Sequence, residues 1–352
     1  MKAWILYDVG SILFGHTDRP KPAKHEVLVE VKAAGICGSD IPRIYQTGAH
    51  MHPLIPGHEF SGQVIQTGKE ADVKWLGKRV GIFPLIPCKN CTACQEQHYE
   101  LCHGYSYLGS RRDGGFAEYA VVPEWNLIEL PDNVTYKQAA MMEPLAVAAH
   151  AMRNVLLPGC DRTMSIAVCG LGTIGLLLVM LLREAGYENI YAAGNKAFQR
   201  DMAVKMGIAR ECFYDNHNEE LCEWLMEQTG GDGVGVFFEC VGKNETVSDA
   251  VCCTAPNGTV QLVGNPASDM LLQKDTYWKI LRKQLTLKGS WNSSFRHKDD
   301  DDWTYVLERL RENRLHPEQC ITHLISLNEL DKGLLIMRDK AEEYIKVMAE
   351  KG

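Results

Sequence analysis

The residues best equipped for chemistry in this chain are four cysteines, Cys88, Cys91, Cys94 and Cys102, spaced C-x2-C-x2-C-x7-C. So short a loop brings four soft thiolates around one tetrahedral ion. A closed set of four sulfur ligands suits structural zinc, because no coordination position is left for a substrate. Disulfides are the competing use, but thiols this close along a chain make poor partners. The start, MKAWILYDVG, is too short and too soon polar for a signal peptide, so a reducing cytoplasm is expected. Thirteen cysteines occur in all. The eight outside this set and Cys37 are scattered and are read as small buried hydrophobes.

A second set is dispersed. Cys37-Gly38-Ser39-Asp40 and Gly57-His58-Glu59 precede the four-cysteine loop, and Glu143-Pro144 follows it. One thiolate, one imidazole and one or two carboxylates can hold a zinc that keeps an open position. Such an ion lowers the pKa of a bound alcohol, which can then release hydride to a nicotinamide. Each fragment alone is unspecific. The reading rests on their occurring together, in order, beside a dinucleotide-binding pattern.

That pattern is Gly170-Leu171-Gly172-Thr173-Ile174-Gly175, a G-x-G-x-x-G that follows an apolar strand and opens an apolar helix. Gly170 permits the tight turn, Gly172 the approach of backbone to pyrophosphate, and Gly175 the packing of helix on strand. Thr173 and Ile174 open the helix, whose free N–H groups and dipole favour phosphate. An NAD site normally ends the next strand with a carboxylate for the ribose 2′-hydroxyl. Here Gly194 stands there, followed by Asn195 and Lys196, with Arg200 one turn into the helix. A small residue leaves room for a 2′-phosphate, and the cations and amide can bind it, so NADP is favoured over NAD.

The elements that must position these groups fall into two textures. The first 150 residues or so carry short β-branched runs, EVLVEV at 26–31, 62–65 and 79–83, and read as antiparallel strands. From Met164–Cys169 onward, strands at 189–193, 234–239 and 260–263 alternate with helices such as 198–206, which predicts a parallel, doubly wound α/β sheet. Helices are predicted near 303–312 and 327–338, and the run Asp299–Asp302 reads as a solvated loop or helix start. The expected division is a mostly β catalytic domain of residues 1–148 and 284–352, with a zinc lobe at 84–104, around a Rossmann domain at 149–283. With 45% hydrophobic and 23% charged residues, the composition is globular, and a net charge of −8 argues against a nucleic-acid partner. The longest apolar run, Ile174 to Leu182, is half a membrane span.

Taken together, CGSD at 37–40, GHEFSG at 57–62, CKNCTACQEQHYELC at 88–102, GGFAEY at 114–119, EP at 143–144 and GLGTIG at 170–175 resemble the zinc-dependent medium-chain dehydrogenase/reductase family over essentially the whole chain. CGSDIPRIYQTGAH at 37–50, GSRRDGGFAEY at 109–119 and KILRKQLTLKGSW at 279–291 place it with the polyol dehydrogenases, nearest those acting on a polyol phosphate. The resemblance implies a GroES-like catalytic domain and two zinc ions per chain. Cys37 and His58 would be catalytic ligands, with Glu59 or Glu143 supplying a carboxylate or holding the metal-bound water. Ser39 would relay the proton, and Asp40 would orient His58. Polyol members carry a glutamate at the position of Glu143 where alcohol dehydrogenases carry cysteine. The absent acid at 194 departs from most of them.

A phosphorylated substrate needs cations, for which Arg43, Arg111 and Arg112 are candidates. Tyr45, His50, Trp291 and Asn292 could line the polyol. A homodimer or homotetramer is implied by the resemblance. Unphosphorylated substrates such as sorbitol, L-threonine or a sugar acid are the alternative. The non-enzymic alternative is a metal-bearing binding protein that has lost turnover.

Overall fold

The computed structural model describes residues 1–351 apart from Glu219. The chain divides into two compact units, Met1–Ala146 with Ser294–Gly352, and Val147–Ser293. The second crossing falls ten residues later than the expected 283/284. The reason is that Thr286–Gly289 is the last strand of the parallel sheet and holds its segment in the second unit.

The first unit is built on a seven-stranded sheet. Its long central strand, Glu26–Ile36, pairs antiparallel with Glu59–Thr67, Tyr119–Pro123 and Lys346–Glu350. In EVLVEV, Val27, Val29 and Val31 join the core beside Phe60, Val64, Val80 and Val122, while Leu28, on the opposite face, is buried as well, so the central strand is covered on both sides there. The strand then runs on to Ile36, so its end delivers Cys37, while the start of its neighbour delivers His58 and Glu59. Gly35 lies opposite Glu59 in that ladder.

The second unit is a six-stranded, all-parallel sheet. Its strands lie in the order Phe213–Asp215, Ile190–Gly194, Ile166–Cys169, Val234–Glu239, Thr254–Leu262, Thr286–Gly289. In chain order this is third, second, first, fourth, fifth, sixth, the doubly wound dinucleotide-binding arrangement, whose order reverses beside the first strand. Ile166–Cys169 is buried at every position, as a central parallel strand requires.

Two expectations about single segments change. Asp301 and Asp302 are buried, not solvated. Asp301 caps the helix Asp302–Arg311 through Thr304 N, and Asp302 accepts from the amide and hydroxyl of Ser294. Nor are the scattered cysteines all buried thiols: Cys222 and Cys252 form a disulfide, and Cys160, Cys212 and Cys240 are half-exposed. Among the described residues no helix is long and apolar enough to cross a membrane.

Candidate active site and metal centres

The four-cysteine loop folds as a lobe bracketed by a short antiparallel pair, Leu85–Ile86 with Ser106–Tyr107. The four sulfurs of Cys88, Cys91, Cys94 and Cys102 lie within 4.8 Å of one another. Cys91 starts the short helix Thr92–Gln95, which turns Cys94 back toward the others. Backbone N–H groups of Asn90 and Cys91 hold the Cys88 thiol down at about 6, favouring thiolate, whereas burial pushes Cys94 up to about 12. Four converging thiols with two sulfur–sulfur contacts of 3.9 Å fit a tetrahedral zinc.

Cys37, His58 and Glu59 bring one ligand atom each to within 4.8 Å of the others. His58 and Glu59 are buried and Cys37 is half-exposed, so this donor set faces an accessible side. Asp40, wholly buried, has Oδ1 3.4 Å from His58 Nδ1, and its Oδ2 accepts from Cys37 N at 3.0 Å. Burial works against the imidazolium, but the charges of Asp40 and Cys37 outweigh it and raise His58 well above 6.5. Asp40 is likewise penalised by burial yet held below 3.8 by His58 and Arg43. Ser39 Oγ donates to Cys37 Sγ at 3.3 Å.

Glu143 stands outside the group of three. Its Oε1 accepts from Tyr107 OH at 3.1 Å, and burial, reinforced by the charge of Glu59, pushes it up to about 7. Of the two glutamates, Glu59 is therefore the one grouped with Cys37 and His58. Its carboxylate is already bonded to Lys346, whose Nζ lies 2.6 and 2.8 Å from the two oxygens and 3.1 Å from Ile36 O. The pair is almost fully buried, and Glu59 keeps Lys346 charged against the pull of burial. Lys346 and Tyr107 are the site residues that the sequence reading missed. A lysine inside the apolar strand IKVMAE was a signal; Tyr107 gave none.

The glycine loop opens the helix Thr173–Glu184. Gly170 has φ +94°, and a Cβ there would strike Val241; a Cβ on Gly175 would strike the Gly170 carbonyl. Nothing lies within 4 Å of a Cβ built on Gly172, so that stretch of backbone stands open to a ligand. Gly194 ends its strand buried, and a Cβ there would come within 2.9 Å of Gln199 Oε1. Asn195 is exposed, and Lys196 Nζ lies 5.4 Å from the Phe198 ring. Gln199 Oε1 and Arg200 Nε are buried without hydrogen-bond partners, although Arg200 Nε lies 3.5 Å from Asp201 Oδ1. The open backbone, the absent acid and the unsatisfied Gln199 Oε1 fit a dinucleotide.

The candidate substrate residues separate. Arg43 Nη1 donates to Asp40 Oδ1 at 2.6 Å. The exposed Arg111 stacks 4.6 Å over Tyr105. Burial and then the charges of Arg111 and Arg43 lower the His50 imidazole, so these three residues share one basic patch. Arg112 does not join it: the side chain pairs with Glu26 and lines a cavity of about 250 Å³ with Asp18, Lys21 and Tyr119. Tyr45 is half-buried beneath Arg338, 4.8 Å from its ring. Trp291, 54% exposed, and Asn292, at φ +59°, belong to the second unit.

Known proteins share this architecture. Residues 23–132 match the alcohol dehydrogenase GroES-like domain, and residues 173–312 match the zinc-binding dehydrogenase family. Galactitol 1-phosphate 5-dehydrogenase of Escherichia coli is 34% identical over 298 residues, covering 85% of each chain. Sorbitol dehydrogenase of Halalkalibacterium halodurans is 30% identical over 99% of this chain and 98% of its own. The crystal structure of galactitol-1-phosphate dehydrogenase from E. coli superposes with a TM-score of 0.91 at 32% identity, over the full length of both chains.

Proposed function

We infer the reaction from one premise: the chain belongs to the zinc-dependent alcohol dehydrogenase family, in its GroES-like, medium-chain form. The proposed reaction removes hydride from a secondary hydroxyl of a polyol phosphate such as galactitol 1-phosphate, giving the ketose phosphate, with NADP used in preference to NAD. Two zinc ions per chain are proposed, one held by Cys88, Cys91, Cys94 and Cys102 and one by Cys37, His58 and a carboxylate. The second would supply Lewis acidity toward the substrate hydroxyl, and the nicotinamide would accept the hydride.

The chain's own groups divide the remaining work. Asp40 fixes the ring of His58 and keeps its charge balanced. Ser39, beside Cys37, takes the hydroxyl proton outward. Lys346 neutralises Glu59, so Glu143, poised at about 7 and bonded to Tyr107, is the carboxyl free to hold a proton or a ligand. Lys196 and Arg200, whose Nε makes no hydrogen bond and lies 3.5 Å from Asp201, support a 2′-phosphate in the place of the missing acid.

What supports the phosphate is a basic patch beside Cys37: Arg43, on the turn that follows it, and the exposed Arg111 both act on His50, whose imidazole is lowered by burial and then by their charges. The deciding measurement is kcat/KM for galactitol 1-phosphate against galactitol and sorbitol, each with NAD and NADP. A preference of tenfold or more for the phosphate ester, about 1.4 kcal/mol of transition-state discrimination, supports the reading; equal rates remove it. Oxidation of an unphosphorylated polyol is the second reading, favoured by the bond from Arg43 to Asp40, which leaves Arg111 as the anchor.

A homo-oligomer is proposed through the edge strand Thr286–Gly289, exposed along its whole length. Leu271, Tyr277, Trp278 and Leu281 add exposed apolar surface on the same unit. The cytoplasm is the compartment proposed.

A further inference from the structure

The dinucleotide-binding unit carries a cysteine pair that the proposed reaction does not use. Cys222 lies at the start of the helix Leu221–Gln228, and Cys252 lies near the end of Asn244–Cys253. They are joined by a disulfide, with Cα atoms 6.1 Å apart and 30 residues of separation in sequence. That Cα spacing is what an unforced bridge needs. Both residues are half-exposed, whereas the neighbouring thiols Cys169 and Cys253 are buried, and burial pushes both upward, Cys169 to about 12.

The surroundings of Cys252 are those of a reactive sulfur. Lys279, exposed on the helix Lys274–Lys283, places Nζ 3.1 Å from Cys252 Sγ. Lys283 Nζ donates to the carbonyls of Cys252 and Thr254 at 2.6 and 2.8 Å. The same helix carries two carboxylates, Glu245 and, one turn before Cys252, Asp249, which feels both Glu245 and Lys279. An ammonium group within hydrogen-bond reach of the sulfur favours thiolate at Cys252 once the bridge is open. A bridge in a compartment that keeps thiols reduced is ordinarily transient or redox-sensing.

We propose that Cys222 and Cys252 form a reversible redox lock on the dinucleotide-binding unit, closed by a low-molecular-weight disulfide of the glutathione class. The Cys252 thiolate attacks one sulfur of the oxidant, forming a mixed disulfide and expelling one thiolate. The Cys222 thiol gives its proton to solvent and attacks Cys252 Sγ, expelling the second thiolate. The two protein sulfurs lose two electrons between them, and the oxidant takes these up as two small thiols. Closure ties the two helices together and restricts the unfolded chain, so the oxidised form is the more heat-stable one.

The test uses the full-length, zinc-loaded protein equilibrated over a series of reduced-to-oxidised glutathione ratios at fixed pH, then alkylated and mapped by mass spectrometry. A chromophoric chelator follows zinc, so that oxidation of the four-cysteine lobe is separated from closure of this bridge. The expected result is a linked Cys222–Cys252 peptide at the oxidised end, its loss in excess reduced glutathione, and a melting temperature several degrees higher when closed. In Cys222→Ser the glutathione adduct should persist on Cys252, and in Cys252→Ser no adduct should form at Cys222. Lys279→Gln should slow alkylation of Cys252 in the reduced Cys222→Ser background threefold or more. Full alkylation of both thiols at every ratio, or an adduct that collects on Cys222, would overturn the proposal.

Discussion

The four-cysteine lobe and the Cys37 cluster both gather sulfur, yet they are built in opposite ways. The lobe is made of one short stretch of chain, closed by a two-residue ladder, with its sulfurs turned on one another. The Cys37 cluster is assembled from the end of one strand and the start of its neighbour, then braced by Asp40 and Lys346 and by the Tyr107 ring edge-on to His58. Beyond its thiols, the lobe's ionisable bracing is local: His98 pairs with the buried Glu100, two residues on. The cluster buries two acids, a histidine and a lysine. A group of ligands that serves folding can be local and self-sufficient. One that serves chemistry must keep charges out of water near a substrate, and it needs partners from distant parts of the sequence to do so.

The sharpest way to break this contrast is to exchange one cysteine in each. Cys37→Ser should lower kcat by about 1000-fold or more, the several kcal/mol that Lewis-acid assistance supplies, with thermal unfolding little changed. Cys94→Ser should do the reverse, reducing soluble yield and melting temperature because a structural zinc contributes folding energy directly. Steady-state rates and calorimetry on both variants decide it. A Cys37→Ser enzyme that keeps most of its rate, or a Cys94→Ser protein that melts like wild type, dissolves the distinction.

Next in size is Lys346. Replacing it with Met leaves Glu59 buried and unpaired, which should cost about 3–5 kcal/mol in urea unfolding. Adding Glu59→Gln should recover much of that loss, since removing both charges avoids the stranded one. If Lys346→Met alone unfolds at the wild-type midpoint, the pair does not brace the cluster.

The substrate side gives a smaller effect. Arg111→Gln should lower kcat/KM for galactitol 1-phosphate about tenfold, near 1.4 kcal/mol, and leave galactitol untouched. An equal loss on both substrates would make Arg111 a structural cation stacked on Tyr105, with no phosphate role.

What could be read in the sequence follows the same division. The cysteine spacing and the glycine loop are local patterns, and both fold where the pattern puts them. The strand Val234–Glu239 was bounded correctly because a continuous apolar run marks a buried parallel strand. The next strand begins at Thr254, six residues ahead of the predicted start. Ala255-Pro256-Asn257-Gly258 reads as a turn, but the structure takes it into the strand as an irregularity, with Asn257 at φ +61° and the register slipping there. The pairing of Glu59 with Lys346 spans 287 residues and that of His58 with Asp40 crosses two strand ends, so neither had a sequence period to announce it. The helix Lys274–Lys283 was missed for a different reason: Tyr277, Trp278 and Leu281 face solvent, so its apolar residues do not report a core within this chain.

The smallest prediction tests whether burial is what makes the Glu59–Lys346 pair matter. Glu30, on the strand that delivers Cys37, pairs with Lys351 at 2.6 Å and Lys32 at 3.0 Å, but all three are partly exposed. Its hydrogen bonds to Lys351 and Lys32 hold Glu30 below the ordinary carboxylate value of 4.5. A carboxyl lowered by folding stabilises the fold above that ordinary value, and the contribution disappears as pH falls through the folded value. Glu30→Gln should therefore cost less than about 1 kcal/mol at pH 7, and that cost should shrink as pH is lowered below 4.5, read from urea unfolding across the series. A loss at pH 7 as large as that of Lys346→Met would mean that charge pairing as such, and not its removal from water, holds this sheet together.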